Sequence, residues 1–278
     1  MAHCITQEAE NLLDKEIPVL DKGFVRLVDY MGSDERIVQA ARVSYGKGCK
    51  TVREDAALID YLLRHNHTSP FEQVVLTFHL KMPIFVARQW VRHRTGRMNE
   101  VSGRYSVMAD EFYVPKREDV AHQATTNKQG RGEAFAQDEA ERLIEEISAA
   151  QQKAYGDYSA MIEQGVAREL ARINLPLSLY TQFYWQMDLH NLFHFLTLRL
   201  DSHAQCEIRV YAQAILKVVQ ALCPMAAASF VNVRLNAVSF NGEEMEALRQ
   251  LLSGKENPIT DDKKLKRFTA KIETGEQL

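Results

Sequence analysis

Between Arg88 and Ser106 the chain reads RQWVRHRTGRMNEVSGRYS, with Arg88, Arg92, Arg94, Arg97 and Arg104, one histidine (His93) and a single acid, Glu100. No lysine lies between Lys81 and Lys116. A face that only needs solvating mixes lysine, arginine and acids, whereas arginine alone favours planar, two-pronged hydrogen bonding to phosphate or carboxylate. The formal charge of the whole chain is −3, so the cluster is a local anion site and not part of a basic surface. Such a site suits a phosphorylated small molecule. Gln89, Arg92 and His93 are three and four apart and share a helix face; Ile84, Ala87 and Val91 share another, which should pack. A helix C-terminus attracts cations and accounts for Arg92 and Arg94. It does not account for Arg97 and Arg104 further along, where Asn99, Glu100, Ser102 and Gly103 add acceptors, a hydroxyl and a close-approach backbone.

Other candidates are weaker. His190, His194, Thr197 and Asp201 form a polar stripe opposite the leucines of a second helix. Two histidines four apart invite zinc, but a zinc peptidase needs glutamate directly after the first, and here His190 is followed by Asn191. His203 is not spaced as a third ligand, so no metal is expected. His67 reads as a turn histidine, and Arg172 as a helix partner of Glu169. Gly46-Lys47-Gly48 lacks P-loop spacing, and Gly130-Arg131-Gly132 lacks the third glycine of a dinucleotide fingerprint. Ser102 has no nucleophile elbow around it.

These residues need elements to hold them. Val74, Leu76, Phe78 and Leu80 alternate against Val75, Thr77, His79 and Lys81, the clearest strand signal (Gln73–Lys81). Pro83 suits the first turn of a helix running through Arg92, which puts the arginines at a helix end and in the loop after it. Further helices are expected over 7–16, over 34–43 with Ser33 as cap, and over 53–64, 136–163, 167–174, 188–200 and 203–222. Strands are expected at Phe24–Val28, Glu111–Val114 and Leu179–Gln186, with a loop over Lys116–Gly132. Beyond Val233 the chain turns polar and Lys255–Lys266 should be exposed. Strands and helices mix without βαβ rhythm, which predicts an α+β fold with an antiparallel or mixed sheet flanked by helices.

At 278 residues and 46% hydrophobic the chain can bury a sizeable core. The cysteines at 4, 49, 206 and 223 form no CxxC pair and read as reduced thiols. With no signal-like start and no apolar run of membrane-spanning length, a cytoplasmic protein without membrane association is expected.

Arg92-His93-Arg94, seven residues, then Ser102 resembles the RHR-x7-S signature of the flavin-dependent thymidylate synthases. LDKGFVRLVDYMG, AARVSY, HTSPFEQ, FHLKMPIFVARQWVRHR, NEVSGRYS, EFYVP, ARINLP and LRLDSHAQ resemble family segments in family order, over roughly Val19 to Pro224. Residues 1–18 then stand as an N-terminal extension, 19–233 as the family domain and 234–278 as a C-terminal extension; the loop 116–132 and both extensions lie outside the resemblance. The resemblance implies FAD as cofactor, with NADPH and 5,10-methylenetetrahydrofolate as co-substrates for methylating dUMP to dTMP. It also implies a homotetramer with shared active sites. By family pattern Gln89, Trp90, Val91, Arg92, Glu100, Val101, Ser102, Gly103, Arg104, Arg172 and Arg199 line the dUMP site, with Arg199 catalytic. Ser69, Arg92, His93, Arg94, Glu100, Asp188, His190 and His194 correspond to FAD-contacting positions, although Asp188 and His190 stand where members of the family carry Asn and Arg. Two rivals remain: a non-enzymatic nucleotide- or RNA-binding module, which predicts a basic domain the negative charge does not supply, and a histidine-based metallohydrolase. No nucleic-acid partner is expected.

Overall fold

The computed structural model describes residues 5–43, 52–125 and 130–275. Cys4, Cys49 and Gly46–Gly48 lie outside them. The chain divides into two units, 1–227 and 228–278.

The first unit is built on the strand that the sequence marks most clearly. β1 (Glu16–Val19), β2 (Gly23–Met31), β3 (Val75–Pro83), β7 (Tyr180–Asp188) and β4 (Arg97–Glu100) pair in the order β1-β2-β3-β7-β4, every neighbour antiparallel. Side chains alternate across a strand, so Leu76, Phe78, Leu80 and Met82 of β3 and Phe183, Trp185 and Met187 of β7 share one buried face. Three helices pack there: α4 (Ile84–Trp90), α7 (Leu189–Arg199) and α8 (Cys206–Leu222). Trp90 is the hub, with ring centroids 4.5 Å from Phe195 and 5.1 Å from Trp185. The opposite face is polar: His79 bonds Arg26 at 2.8 Å and Gln182 at 3.0 Å, and stacks on Tyr184 at 4.8 Å.

Several elements depart from the sequence expectation. The helix expected over 7–16 is the single turn α1 (Gln7–Glu10), and the chain then enters β1. Pro18 sits inside that strand because β1 is an edge, where a missing N–H costs no ladder bond. The packing face of α4 is Val86, Ala87 and Trp90; Val91, expected inside, is 43% exposed because the helix ends at Trp90. Part of the loop expected after the arginine-histidine-arginine motif is β4. Glu111–Val114 reduces to one bridge, Phe112 to Leu179. Within Lys116–Gly132 a 3-10 turn (Arg117–Asp119) leads into β5 (Ala121–Gln123), which pairs with β6 (Arg131–Ala134). The other helices are α2 (Asp34–Arg42), α3 (Val52–Arg64), α5 (Gln137–Glu163), α9 (Pro224–Phe230) and α6 (Arg168–Ala171), the last followed by a 3-10 turn, Arg172–Asn174. Ser33 precedes α2 but makes no side-chain cap bond.

In the second unit, α10 (Gly242–Leu252) starts on a capping box of Asn241 and Glu244, and α11 (Asp262–Thr274) starts on Asp261. Ala247, Ile259 and Phe268 form its core. Lys271 bonds both oxygens of Glu244 at 2.8 Å. The stretch 255–266 is largely exposed as expected, apart from the buried Ile259, and its second half begins α11.

Candidate active site

α4 and α7 each present one end to the same place. Arg199, in the last turn of α7, donates from Nε to His93 Nε2 at 2.9 Å and from Nη2 to the Gln89 carbonyl at 3.3 Å. For Nε2 to accept, the imidazole must be neutral with its proton on Nδ1. Burial first, then the positive charge of Arg199, then His194, hold the His93 pKa down to about 4. Burial also lowers the Arg199 pKa from its ordinary value. The His93 ring meets the edge of Phe195 at 4.8 Å, so it is held on an apolar support. The Gln89 amide donates to Gln205 Oε1 at the start of α8.

Gln89, Arg199 and Gln205 open on a cavity of about 730 Å3. Its other walls are the turn Ser202–Cys206, Arg209, and the β5–β6 hairpin through Ala121, His122, Gln123, Gly130 and Arg131. The turn is internally braced: His203 bonds Asp201 through its ring at 2.9 Å, and Arg209 holds the Ser202 carbonyl at 2.7 Å. The hairpin is tied down by Arg131, which pairs with Glu207 and with Asp119 at 2.9 Å.

Another group forms beyond the far end of β4. Glu100 accepts from Thr181 Oγ1 at 2.6 Å, which fixes its carboxylate on the sheet. Val101 N–H donates to Gln182 O, and the chain then turns at Ser102, whose Oγ accepts from the Arg104 backbone at 3.3 Å. A Cβ on Gly103 would stand 3.1 Å from Arg172 Cδ and 2.9 Å from Met108 Sδ, so this glycine lets the turn close onto the Arg172 stem. Arg104 pairs with Glu169 at 3.3 Å; the Arg172 guanidinium is exposed and has no carboxylate partner among the described residues. The sequence pairs Glu169 with Arg172 by spacing; in the structure it serves Arg104.

The remaining candidates lie toward the other end of β7. Asp188 caps α7, accepting from the Asn191 backbone at 2.9 Å and its side chain at 2.7 Å, so its carboxylate is already committed. His190 and exposed His194 follow on that helix, and Ser69 is exposed on the turn before β3. Arg92 and Arg94 are exposed, with no carboxylate pairing to either among the described residues. Trp90 is wholly buried, so only its backbone can face a ligand, whereas Val91 and Val101 are exposed. Register keeps the two groups apart: Glu100 pairs with Phe183, while Arg97 pairs with Gln186 on the way to Asp188. Phe183 to Asp188 spans about 17 Å at ordinary strand rise. Sequence reasoning missed Gln205, Thr181 and the hairpin. Gln205 lies in LRLDSHAQ and was within reach; Arg131 carried no signal.

An arginine-lined anion site on an antiparallel α+β scaffold marks a class of enzyme acting on phosphorylated small molecules. Comparison with known proteins narrows it. Residues 26–225 match the family model described as thymidylate synthase complementing protein, and 238–278 match that of the ThyX C-terminal domain. The chain is 59% identical to the flavin-dependent thymidylate synthase of Treponema denticola over 96% of its own length and 100% of that protein. It is 60% identical to that of Thermus thermophilus, covering 85% and 86%. Among solved structures, the UMP/dUMP methylase PolB of Streptomyces cacaoi bound with 5-Br UMP superposes with a TM-score of 0.71 at 32% identity, over 78% of this chain and 97% of that one. The chain belongs to the flavin-dependent thymidylate synthases, FAD-dependent enzymes that convert dUMP to dTMP. The segment after 233, read from sequence as lying outside the resemblance, carries a family domain of its own.

The side chains present fit a flavin dinucleotide. Arg92 and Arg94 offer guanidinium groups unclaimed by carboxylates among the described residues, as a pyrophosphate requires, and His194, one turn beyond His190 on α7, has its ring 6.2 Å from that of His93 between them.

Proposed function

We propose that this enzyme methylates dUMP with 5,10-methylenetetrahydrofolate as carbon donor and NADPH as reductant, as a cytoplasmic homotetramer with active sites shared between subunits. The observation that carries this reading is the Arg199 guanidinium. Its Nε and one Nη2 proton are engaged, which leaves the end of the fork, Nη1 with the other Nη2 proton, free toward the cavity. That end presents two adjacent donors. Neutral uracil offers a donor at N3 and repels it, whereas uracil ionised at N3 offers two adjacent acceptors. Arg199 thus favours the anion, raises electron density at C5, and makes C5 the nucleophile toward the folate methylene. When bound, FAD supplies the hydride chemistry.

The chain's other residues bind and orient. Arg172, Arg104, Ser102 and the Gly103 backbone hold the nucleotide, with the phosphate dianion on the arginines. Glu100 accepts from ligand hydroxyls. Arg92, Arg94, Ser69 and the histidines of α7 take the flavin. No cysteine lies in the arginine cluster; of the described thiols, Cys206 lines the Arg199 cavity and is the one a covalent route would have to use. Cys223 is buried with its pKa pushed up, and Cys206 opens α8. Shared sites are supported by the separation along β7: the Glu100 group and the Asp188 group stand about 17 Å apart at ordinary strand rise, and a second copy can bring complementary halves together.

The purified protein is expected to be yellow, to bleach under NADPH without air, and to form dTMP only when methylenetetrahydrofolate is added. A colourless protein that also fails to take up added FAD would overturn the reading.

A further inference from the structure

We propose that His93 is the positioning residue for Arg199: its neutral imidazole accepts from Nε, locks the side edge of the guanidinium, and so aims the free end of the fork at the pyrimidine. This rests on the reading of Arg199 above and assigns His93 a duty toward the substrate, apart from any flavin contact.

An exposed arginine has several freely turning bonds, and a planar fork is worth most when those bonds are already fixed. Arg199 is fixed at two atoms. Nε donates to His93 Nε2, and Nη2 donates to the carbonyl of Gln89 one turn earlier on the same helix end. Both acceptors lie on one edge, so they set the plane of the guanidinium as well as its place. His93 is itself held, by its edge-on contact with Phe195, a fully buried residue of α7. The groups facing the imidazole are Arg199, His194 and the Phe195 ring. None is an acid that would stabilise an imidazolium, and burial with the adjacent cation keeps the ring uncharged. A charged ring could not accept, and would repel the arginine it orients. A lysine at the same place would do likewise. Glutamine, by contrast, carries an acceptor oxygen at comparable reach.

The test compares His93→Gln, His93→Leu and Arg199→Lys, together with the double variant His93→Leu/Arg199→Lys, with FAD occupancy followed by absorbance. A misaimed reacting group typically costs on the order of a hundredfold. His93→Leu is expected to lose kcat for dTMP formation on that scale with FAD bound, and His93→Gln to recover most of it. The double variant should be no worse than Arg199→Lys alone, since a residue that acts only through Arg199 has nothing left to aim. Multiplying losses in the double variant, or loss of FAD matching the loss of rate, would overturn the proposal while leaving Arg199 intact as the activating group. An Arg199→Lys variant at the parent rate would instead overturn the reading of Arg199. Independently of turnover, nitrogen-15 spectra of the unliganded protein should show His93 Nε2 without a proton down to pH 5. A proton on Nε2 at neutral pH would reject the geometry whatever the kinetics gave.

Discussion

At the residue scale, the site works through differences between groups that a coarse reading treats as alike. Arg104 is paired to Glu169 and Arg131 to Glu207 and Asp119, while Arg92, Arg94 and Arg172 have no carboxylate partner among the described residues. The unpaired ones lose no existing ion pair when a phosphorylated ligand binds, whereas Arg104 must exchange Glu169 for it. Arg199 differs again, since its partners are two neutral acceptors. Arg199→Lys keeps the charge and discards the fork, so it should cut dTMP formation by on the order of a hundredfold while FAD binding changes little. Steady-state rates beside a flavin titration check this; near-parent turnover sinks it. The arginine cluster was visible in the sequence through composition alone. The His93–Arg199 bond was not, because it joins residues 106 apart in the chain and depends on the imidazole being neutral. Neither fact leaves a local trace.

At the scale of elements, legibility followed burial. β3 announced itself because one face is wholly inside and the other is not, and α7 because its leucines keep helical period. β4 did not: Arg-Met-Asn-Glu on an edge strand has no buried face to pattern, and its assignment rests on pairing with β7. β1 was hidden by Pro18, which its edge position tolerates. The β5–β6 pair (Ala-His-Gln and Arg-Gly-Glu-Ala) has no large apolar residue to pattern and reads as a loop. Gly96, just before β4, shows why that strand sits where it does. A Cβ there would press into Trp185 Nε1 and stand 2.9 Å from Met187 Cε, and Trp185 is fully buried and cannot yield. Gly96→Ala should therefore destabilise the enzyme by about 1–3 kcal/mol and loosen the strand that carries Glu100. Thermal unfolding with activity at low temperature tests both. A variant as stable as the parent would mean that β4 can lift away from β7 freely.

At the scale of the whole molecule, the two units were unequally legible. The larger one was expected as an α+β domain with an antiparallel sheet and is one. Residues 234–278 read as a polar tail because the core there is only Ala247, Ile259 and Phe268 with partly buried neighbours, too few apolar positions to stand out against a charged background. Their helices show in their caps, Asn241 with Glu244 and Asp261, which are sequence signals for a helix start. The proposed assembly rests on resemblance. No feature of the composition implies four copies, and the physical argument for sharing between copies comes from register, with Glu100 opposite Phe183 and the residues proposed for the flavin toward Asp188.

That register has a genetic consequence. Under the proposed shared sites, the two ends of β7 serve different neighbours and every chain donates two unlike half-sites. Arg94→Ala and Arg172→Ala would each silence every site in a uniform assembly. Mixed one to one and allowed to exchange, they would rebuild about one quarter of the sites with both arginines intact, as random pairing in a symmetric oligomer requires. Two dead alleles carried in one cell should then restore growth without thymidine, and the mixed protein should regain a matching share of dTMP formation. Complementation that never rises above either variant alone would confine each site to one chain, and with it remove the reason for the assembly.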